Sequence, residues 1–145
     1  MNSNTTSERE SEELRETLRE EYRSRFADLA AYRNRVWKIL TTDFFQAYLP
    51  RSGAVLDLGC GWGEFINNIE AERKFAMDLN PDSASKLGEG IELLAQDCSA
   101  DWTVEAGTLD AVFTSNFFEH LPDKRALDRT LRHASRALKP GGRIL

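Results

Sequence analysis

Three glycines alternate with two other residues in VLDLGCGWGEF (residues 55–65), directly behind an apolar run. Gly59, Gly61 and Gly63 permit positive φ and carry no Cβ, so a ligand can lie against bare main chain where a helix begins. Carboxylates accompany them. Asp57 precedes the first glycine by two positions, Asp78 closes the next apolar run, and Asp97 follows the third. In a parallel sheet all three fall at the carboxyl edge, where ligands bind.

The spacing narrows the ligand. A dinucleotide loop reads G-x-G-x-x-G, but Glu64 stands at the sixth position and would repel a pyrophosphate. No Gly-Lys-Ser/Thr follows, which excludes a P-loop. A row of acids around bare backbone suits a nucleoside without phosphates and with a positive end, such as S-adenosylmethionine. Asp78 is placed to accept the two hydroxyls of a ribose. The alternatives are modest: Asp57 as a strand-end turn residue, Asp78 as an Asx-turn former ahead of Pro81.

The elements that would position these groups follow from pattern. Ala54–Leu58, 74–79, 91–96 and 109–116 read as buried strands. A helix is expected over 64–72, a short one opens at Pro81, and another runs from 123 or 124 to 138, stopped by the turn Lys139-Pro140-Gly141-Gly142 before a fifth strand begins. Strands alternating with helices give an α/β fold, a Rossmann-like doubly wound parallel sheet, over residues 51–145. Residues 1–50 form an N-terminal helical extension. Its first seven residues read as disordered. A Glu/Arg-rich helix is expected from 8 to about 31, and an aromatic amphipathic helix from 36 to 49, ended by Pro50. Most of the face formed by Tyr32, Trp37, Phe44, Phe45 and Tyr48 is expected to pack on the sheet.

Of the 145 residues, 41% are apolar and 30% charged, an ordinary globular composition. The net charge of −5 argues against a general nucleic-acid surface. Cys60 and Cys98 lie far apart in no metal-ligand spacing, so neither a metal site nor a disulfide framework is expected, and a reducing cytoplasm fits. Neither a signal peptide nor a membrane span is expected.

Five stretches in order, VLDLGCGWGEF, FAMDLNPD, LLAQDCS, LDAVFTSNFFEHLPD and LKPGGRIL, resemble the successive motifs of class I S-adenosylmethionine-dependent methyltransferases across residues 53–145. The resemblance implies S-adenosyl-L-methionine as cofactor. Gly59 and Gly61 would line its methionine part and Asp57 would hold its ammonium, directly or through water. Asp78 would bind the ribose hydroxyls, and Leu79 would pack on the adenine. Asp97 would accept from the adenine amino group, with the backbone of Cys98 beside the ring. Asn116 would sit near the transferable methyl. Cys60 belongs to the same loop, and its thiol reads as small filler rather than a nucleophile. In the family the sheet goes on to a sixth and a seventh strand. The chain stops inside its fifth, so its C-terminal strands are missing and a fragment of a longer protein is expected. Helices before the first motif often form a lid, which makes Tyr32 and Arg35 candidate contacts.

The expected reaction is an in-line SN2 methyl transfer, for which the protein aligns the acceptor and excludes water. His120 is the catalytic candidate, as base or orienter of the acceptor. Its preferred alternative is a loop histidine that packs on or caps the next helix, and Glu119 and His133 lean structural. Trp62 covers either the cofactor or the core. Asn116-Phe117-Phe118-Glu119 is no Asn-Pro-Pro-Tyr motif, which weakens an amino acceptor on DNA or protein. The expected acceptor is an oxygen or carbon of a metabolite, sugar or lipid precursor. The competing readings are a non-catalytic methyltransferase-like module that binds cofactor or a partner, and a nicotinamide dehydrogenase, which Glu64 disfavours.

Overall fold

The structure is a computed structural model and describes residues 29–145. The chain divides into two compact units, Met1–Val36 and Trp37–Leu145. Of the first, residues 29–36 are described and are helical. The Glu/Arg-rich helix expected from residue 8 and the disorder expected at 1–7 fall outside the described residues, apart from the last few positions of that helix.

The second unit is built on a five-stranded parallel sheet. Its strands are β1 (Ala54–Leu58), β2 (Arg73–Met77), β3 (Ile91–Leu94), β4 (Leu109–Phe113) and β5 (Leu138–Ile144), in the order β3-β2-β1-β4-β5. Every residue of β1 is buried, as an apolar strand with neighbours on both sides requires. Alternate side chains feed two cores. Leu56, Leu58, Phe75, Met77 and Val112 share one face with Ala134 and Ala137 of helix α2 (Lys124–Ala137). Val55, Ala76, Ala111 and Phe113 share the other with Phe65 and Ile66 of helix α1 (Glu64–Asn68). Helices on both faces make the sheet doubly wound.

The boundaries differ from expectation for identifiable reasons. α1 ends at Asn68, not near 72, because the Gln46 side chain donates to Glu70 O at 3.0 Å and accepts from Glu70 N at 2.9 Å, which ties that segment outside the helix. β2 stops at Met77, since Asp78 folds back onto the Asn80 N–H, and β3 stops at Leu94, whose carbonyl accepts from Gln96 N at 2.9 Å in a tight turn. β4 ends at Phe113, and Asn116 beyond it takes a left-handed φ of 49°. The segment Lys139–Gly142 is a correction: it lies within β5 rather than forming a separate turn. β5 advances from Leu138 to Arg143 while β4 advances only from Leu109 to Ala111, so these residues bulge from the ladder, with Gly141 at φ 83°.

The aromatic segment is also not one α-helix. Residues 37–39 are α-helical, Leu40–Phe44 widens to a π turn, and Phe45–Tyr48 tightens to a 3-10 turn. Thr41 and Thr42 donate their hydroxyls back to the Trp37 and Lys38 carbonyls within the widened turn. Trp37 and Phe45 reach Phe113, with ring centroids 5.9 and 5.0 Å away, and Phe113 stacks on Phe65 at 3.7 Å. Phe44 and Tyr48 stay exposed against each other, contrary to expectation. Adjacent positions on a helical turn point about 100° apart, so Phe44 and Phe45 cannot both face the sheet.

At the amino edge Asp110 ties three neighbouring strands, accepting from Ala54 N at 2.8 Å and from Lys139 Nζ at 2.7 Å. Burial opposes its ionisation, but the Lys139 ammonium and the Ala54 N–H outweigh this and hold the carboxyl below its usual range. A lowered carboxyl contributes stability above its unfolded pKa and loses it as the pH falls through the folded one. Asp110→Ala is therefore expected to lower the unfolding free energy at pH 7 by about 1–3 kcal/mol in urea titrations, with the deficit shrinking in acid. A deficit that persists undiminished in acid would place the effect in packing instead.

Candidate active site

The loop between β1 and α1 takes three left-handed steps, with φ 73° at Gly59, 52° at Gly61 and 72° at Gly63. Each glycine answers a different need. The Phe117 ring lies on Gly59 so closely that an added Cβ would stand 2.2 Å from it. Gly63 caps α1 and would strike Leu87 at 2.8 Å. Around Gly61 nothing lies within 4 Å of the position a Cβ would take, so this residue faces open space. Gly59 N and Cys60 N donate to Met77 O at 2.8 and 3.1 Å, which fixes the loop to the end of β2.

Asp78 completes the loop. One carboxylate oxygen accepts from Gly61 N at 2.7 Å and the other from Asn80 N at 2.8 Å. It is thus both the Asx-turn former and the residue that fixes the glycine loop. A carboxylate offers about four acceptor positions, so the two it uses here leave capacity for ribose hydroxyls. Leu79 beside it is 69% exposed, an apolar surface at the edge of the site.

Asp57 is 4% exposed, on the sheet face that carries α1. Burial raises its pKa from 3.8 to about 8; the Ile66 N–H lowers it, and the charges of Glu64 and Asp78 raise it further. The same burial, with Asp57 and Asp78 nearby, pushes the Cys60 thiol up to about 12, which leaves it too little thiolate for a nucleophile at neutral pH.

The remaining expected residues lie along the same edge. Asp97 is exposed and accepts from Ser99 N at 2.7 Å. Cys98 is buried: its carbonyl accepts from Trp102 Nε1 at 2.7 Å and its sulfur from Thr130 Oγ1 at 3.4 Å, and burial raises its pKa. Asn116 and His120 are exposed on the connection after β4. His120 does not cap the next helix, because Asp123 does, accepting from Ala126 N at 2.7 Å. His133 stacks on Trp102. Trp62 is 42% exposed with the Lys86 ammonium 5.6 Å from its ring, so it does not cap the core. Phe117 escaped the sequence reading. Its signal was the need for glycine at position 59, which a bulky neighbour explains.

A raised carboxyl stabilises the fold below its unfolded pKa of 3.8, and that contribution is lost as the pH rises towards and through about 8. Asp57→Asn is expected to remove this decline, so that the urea midpoint falls less between pH 5 and pH 8.5 than in the parent. Equal declines in both would contradict the burial of a protonated Asp57.

Comparisons with known proteins bear on the family and the fold. A family described as a methyltransferase domain matches residues 23–145. The chain is 34% identical over 116 residues to the ubiquinone biosynthesis O-methyltransferase of Xanthomonas oryzae pv. oryzae, covering 70% of this chain and 46% of the relative. It spans about half the length of the curated relatives it matches. Among solved structures, a TehB-like SAM-dependent methyltransferase from Corynebacterium glutamicum superposes with a TM-score of 0.65 at 24% identity, covering 86% of this chain and 69% of that one. The trans-methyltransferase CalH, solved in complex with SAH, superposes at 0.53 and 24% identity, over 65% of this chain and 31% of its own. The chain belongs to this methyltransferase-domain family, and its sheet has the Rossmann-like fold of the class I S-adenosylmethionine-dependent members.

Proposed function

We propose that this chain holds S-adenosylmethionine at the carboxyl edge of its sheet and directs methylation of a small-molecule acceptor. The observation that carries the reading is the open backbone at Gly61, held by Asp78 beside the buried Asp57. The residues fit the cofactor on their own chemistry. Asp57 is a carboxyl in need of a cation, Asp78 retains acceptor capacity for two hydroxyls, and Leu79 offers an apolar platform for a purine. A pyrophosphate fits poorly, because Glu64 stands in the first turn of α1 and Asp78 and Asp97 lie at the same edge.

When bound, the cofactor supplies an electrophilic methyl group on a sulfonium. The chain's own part is to bind and orient. Asp57 would take the ammonium, and Gly59 and Gly61, with Cys60 in the same loop, would seat the methionine chain. Asp97 and the backbone of Cys98 hold the adenine. Asn116 would lie near the reacting end, and His120, exposed on the same connection, is the candidate to accept an acceptor proton. The likeness to a ubiquinone biosynthesis O-methyltransferase supports oxygen as the accepting atom. Among the described residues no helix is long and apolar enough to cross a membrane.

Calorimetry with S-adenosylhomocysteine and NADH tests the binding half. The homocysteine ligand is expected to bind and NADH to give no heat; the reverse order would overturn the reading. Asp78→Asn is expected to weaken S-adenosylhomocysteine by about 10- to 100-fold, the cost of a lost charged hydrogen bond. With labelled cofactor and a panel of hydroxylated acceptors, His120→Ala is expected to lower kcat by about 100-fold or more while leaving cofactor affinity unchanged. Binding without transfer to any acceptor would favour a non-catalytic, cofactor-binding module.

A further inference from the structure

Asp57 is 4% exposed at the point where the cofactor reading requires an ammonium, between the sheet and α1 and close to the Asp78 loop; the cation on the same face of β2, Lys74, is engaged with the Ile66 carbonyl at 3.2 Å. Its register partners are Ala76 on β2 and Phe113 on β4. The ionisable groups that face it are Glu64 from the first turn of α1, Asp78 from the loop after β2 and the Cys60 thiol from the glycine loop. The Ile66 N–H donates to its carboxyl. Burial and two neighbouring acids therefore favour the neutral carboxylic acid while no ligand is present. An ammonium brought in over the glycine loop reverses that balance, because a buried carboxylate gains most from a close opposite charge.

We propose that cofactor binding by this chain releases one proton from Asp57, so that its affinity for an adenosine ligand with an α-ammonium rises with pH through the neutral range. The proposal rests on the cofactor reading above. The O–H bond of the Asp57 carboxyl breaks, its proton passes to buffer, and the carboxylate left behind pairs with the ligand ammonium. No covalent bond to the ligand forms. With the free acid titrating near 8, binding near pH 7 displaces about one proton, and affinity gains roughly tenfold per pH unit below that point. A fall in pH then unloads the cofactor with no change in its concentration.

Calorimetric titration of the full chain with S-adenosylhomocysteine, in phosphate and in imidazole between pH 6 and 7, reads this directly. Over that range the ligand's own amino group stays largely charged. The apparent heat is expected to differ between buffers by close to the difference of their ionisation enthalpies for one proton, with affinity rising about tenfold from pH 6 to pH 7. 5′-Methylthioadenosine, which lacks the amino-acid tail, is expected to bind without either dependence, and this comparison needs no variant. In Asp57→Asn the affinity for S-adenosylhomocysteine is expected to be flat with pH. His120 lies on the same edge, so a slope that survives in Asp57→Asn assigns the proton elsewhere and overturns the proposal. Buffer-independent heats with pH-flat affinity overturn it too while leaving the cofactor reading standing. No binding at any pH contradicts the cofactor reading itself, and the proposal falls with it.

Discussion

The site depends on one constraint of the backbone. Between β1 and α1 the chain must turn through left-handed conformations at three alternate positions, and only glycine enters that region without strain. Two of these glycines are also enforced by packing, Gly59 by Phe117 and Gly63 by Leu87. The third, Gly61, is crowded by nothing and is held in place by the Asp78 carboxylate. The loop is therefore anchored at both ends and open in the middle. That arrangement gives a ligand access to main chain without a mobile loop to order.

The electrostatics follow from the same arrangement. Ends of successive parallel strands bring Asp57, Asp78 and Asp97 to one edge, and the first lies buried between sheet and helix. Each acid also has a structural duty: Asp57 accepts from Ile66, Asp78 from Gly61 and Asn80, Asp97 from Ser99. The turn-forming and ligand-binding readings of these residues are thus compatible. A carboxylate oriented by the backbone is already placed when a ligand arrives, which reduces the ordering that binding must impose. At the opposite edge Asp110 and Lys139 use an ordinary ion pair to hold β1, β4 and β5 in line.

Much of this was legible in the sequence because it depends on residue type and order. Alternating apolar runs and glycine turns announced the parallel sheet; the first four strands lie where they were expected, three of them shortened at the carboxyl end, while the fifth begins at Leu138, inside the segment expected to be a turn. The trimming came from local hydrogen bonds that periodicity does not register: Asp78 ends β2 by turning back on Asn80, and Gln96 N ends β3 by turning back on Leu94 O. Contacts between distant segments were invisible for the same reason. Nothing local to Gln46 foretells its pairing with Glu70, and the apolar pattern of 36–49 does not reveal the π and 3-10 turns that leave Phe44 and Tyr48 in solvent. Lys139–Gly142 has turn composition yet bulges within a strand, since Gly142 packs against the Asp110 carbonyl there.

The central claim is that the glycine loop and its flanking carboxylates form the cofactor seat. Backbone amide NMR of the full chain during addition of S-adenosylhomocysteine tests it most directly. The account predicts that Gly59, Gly61, Asp78, Leu79 and Cys98 shift most, while Gly141 and Gly142 at the amino edge stay still. Shifts concentrated on Gly141 and Gly142, with the glycine loop unmoved, would contradict it.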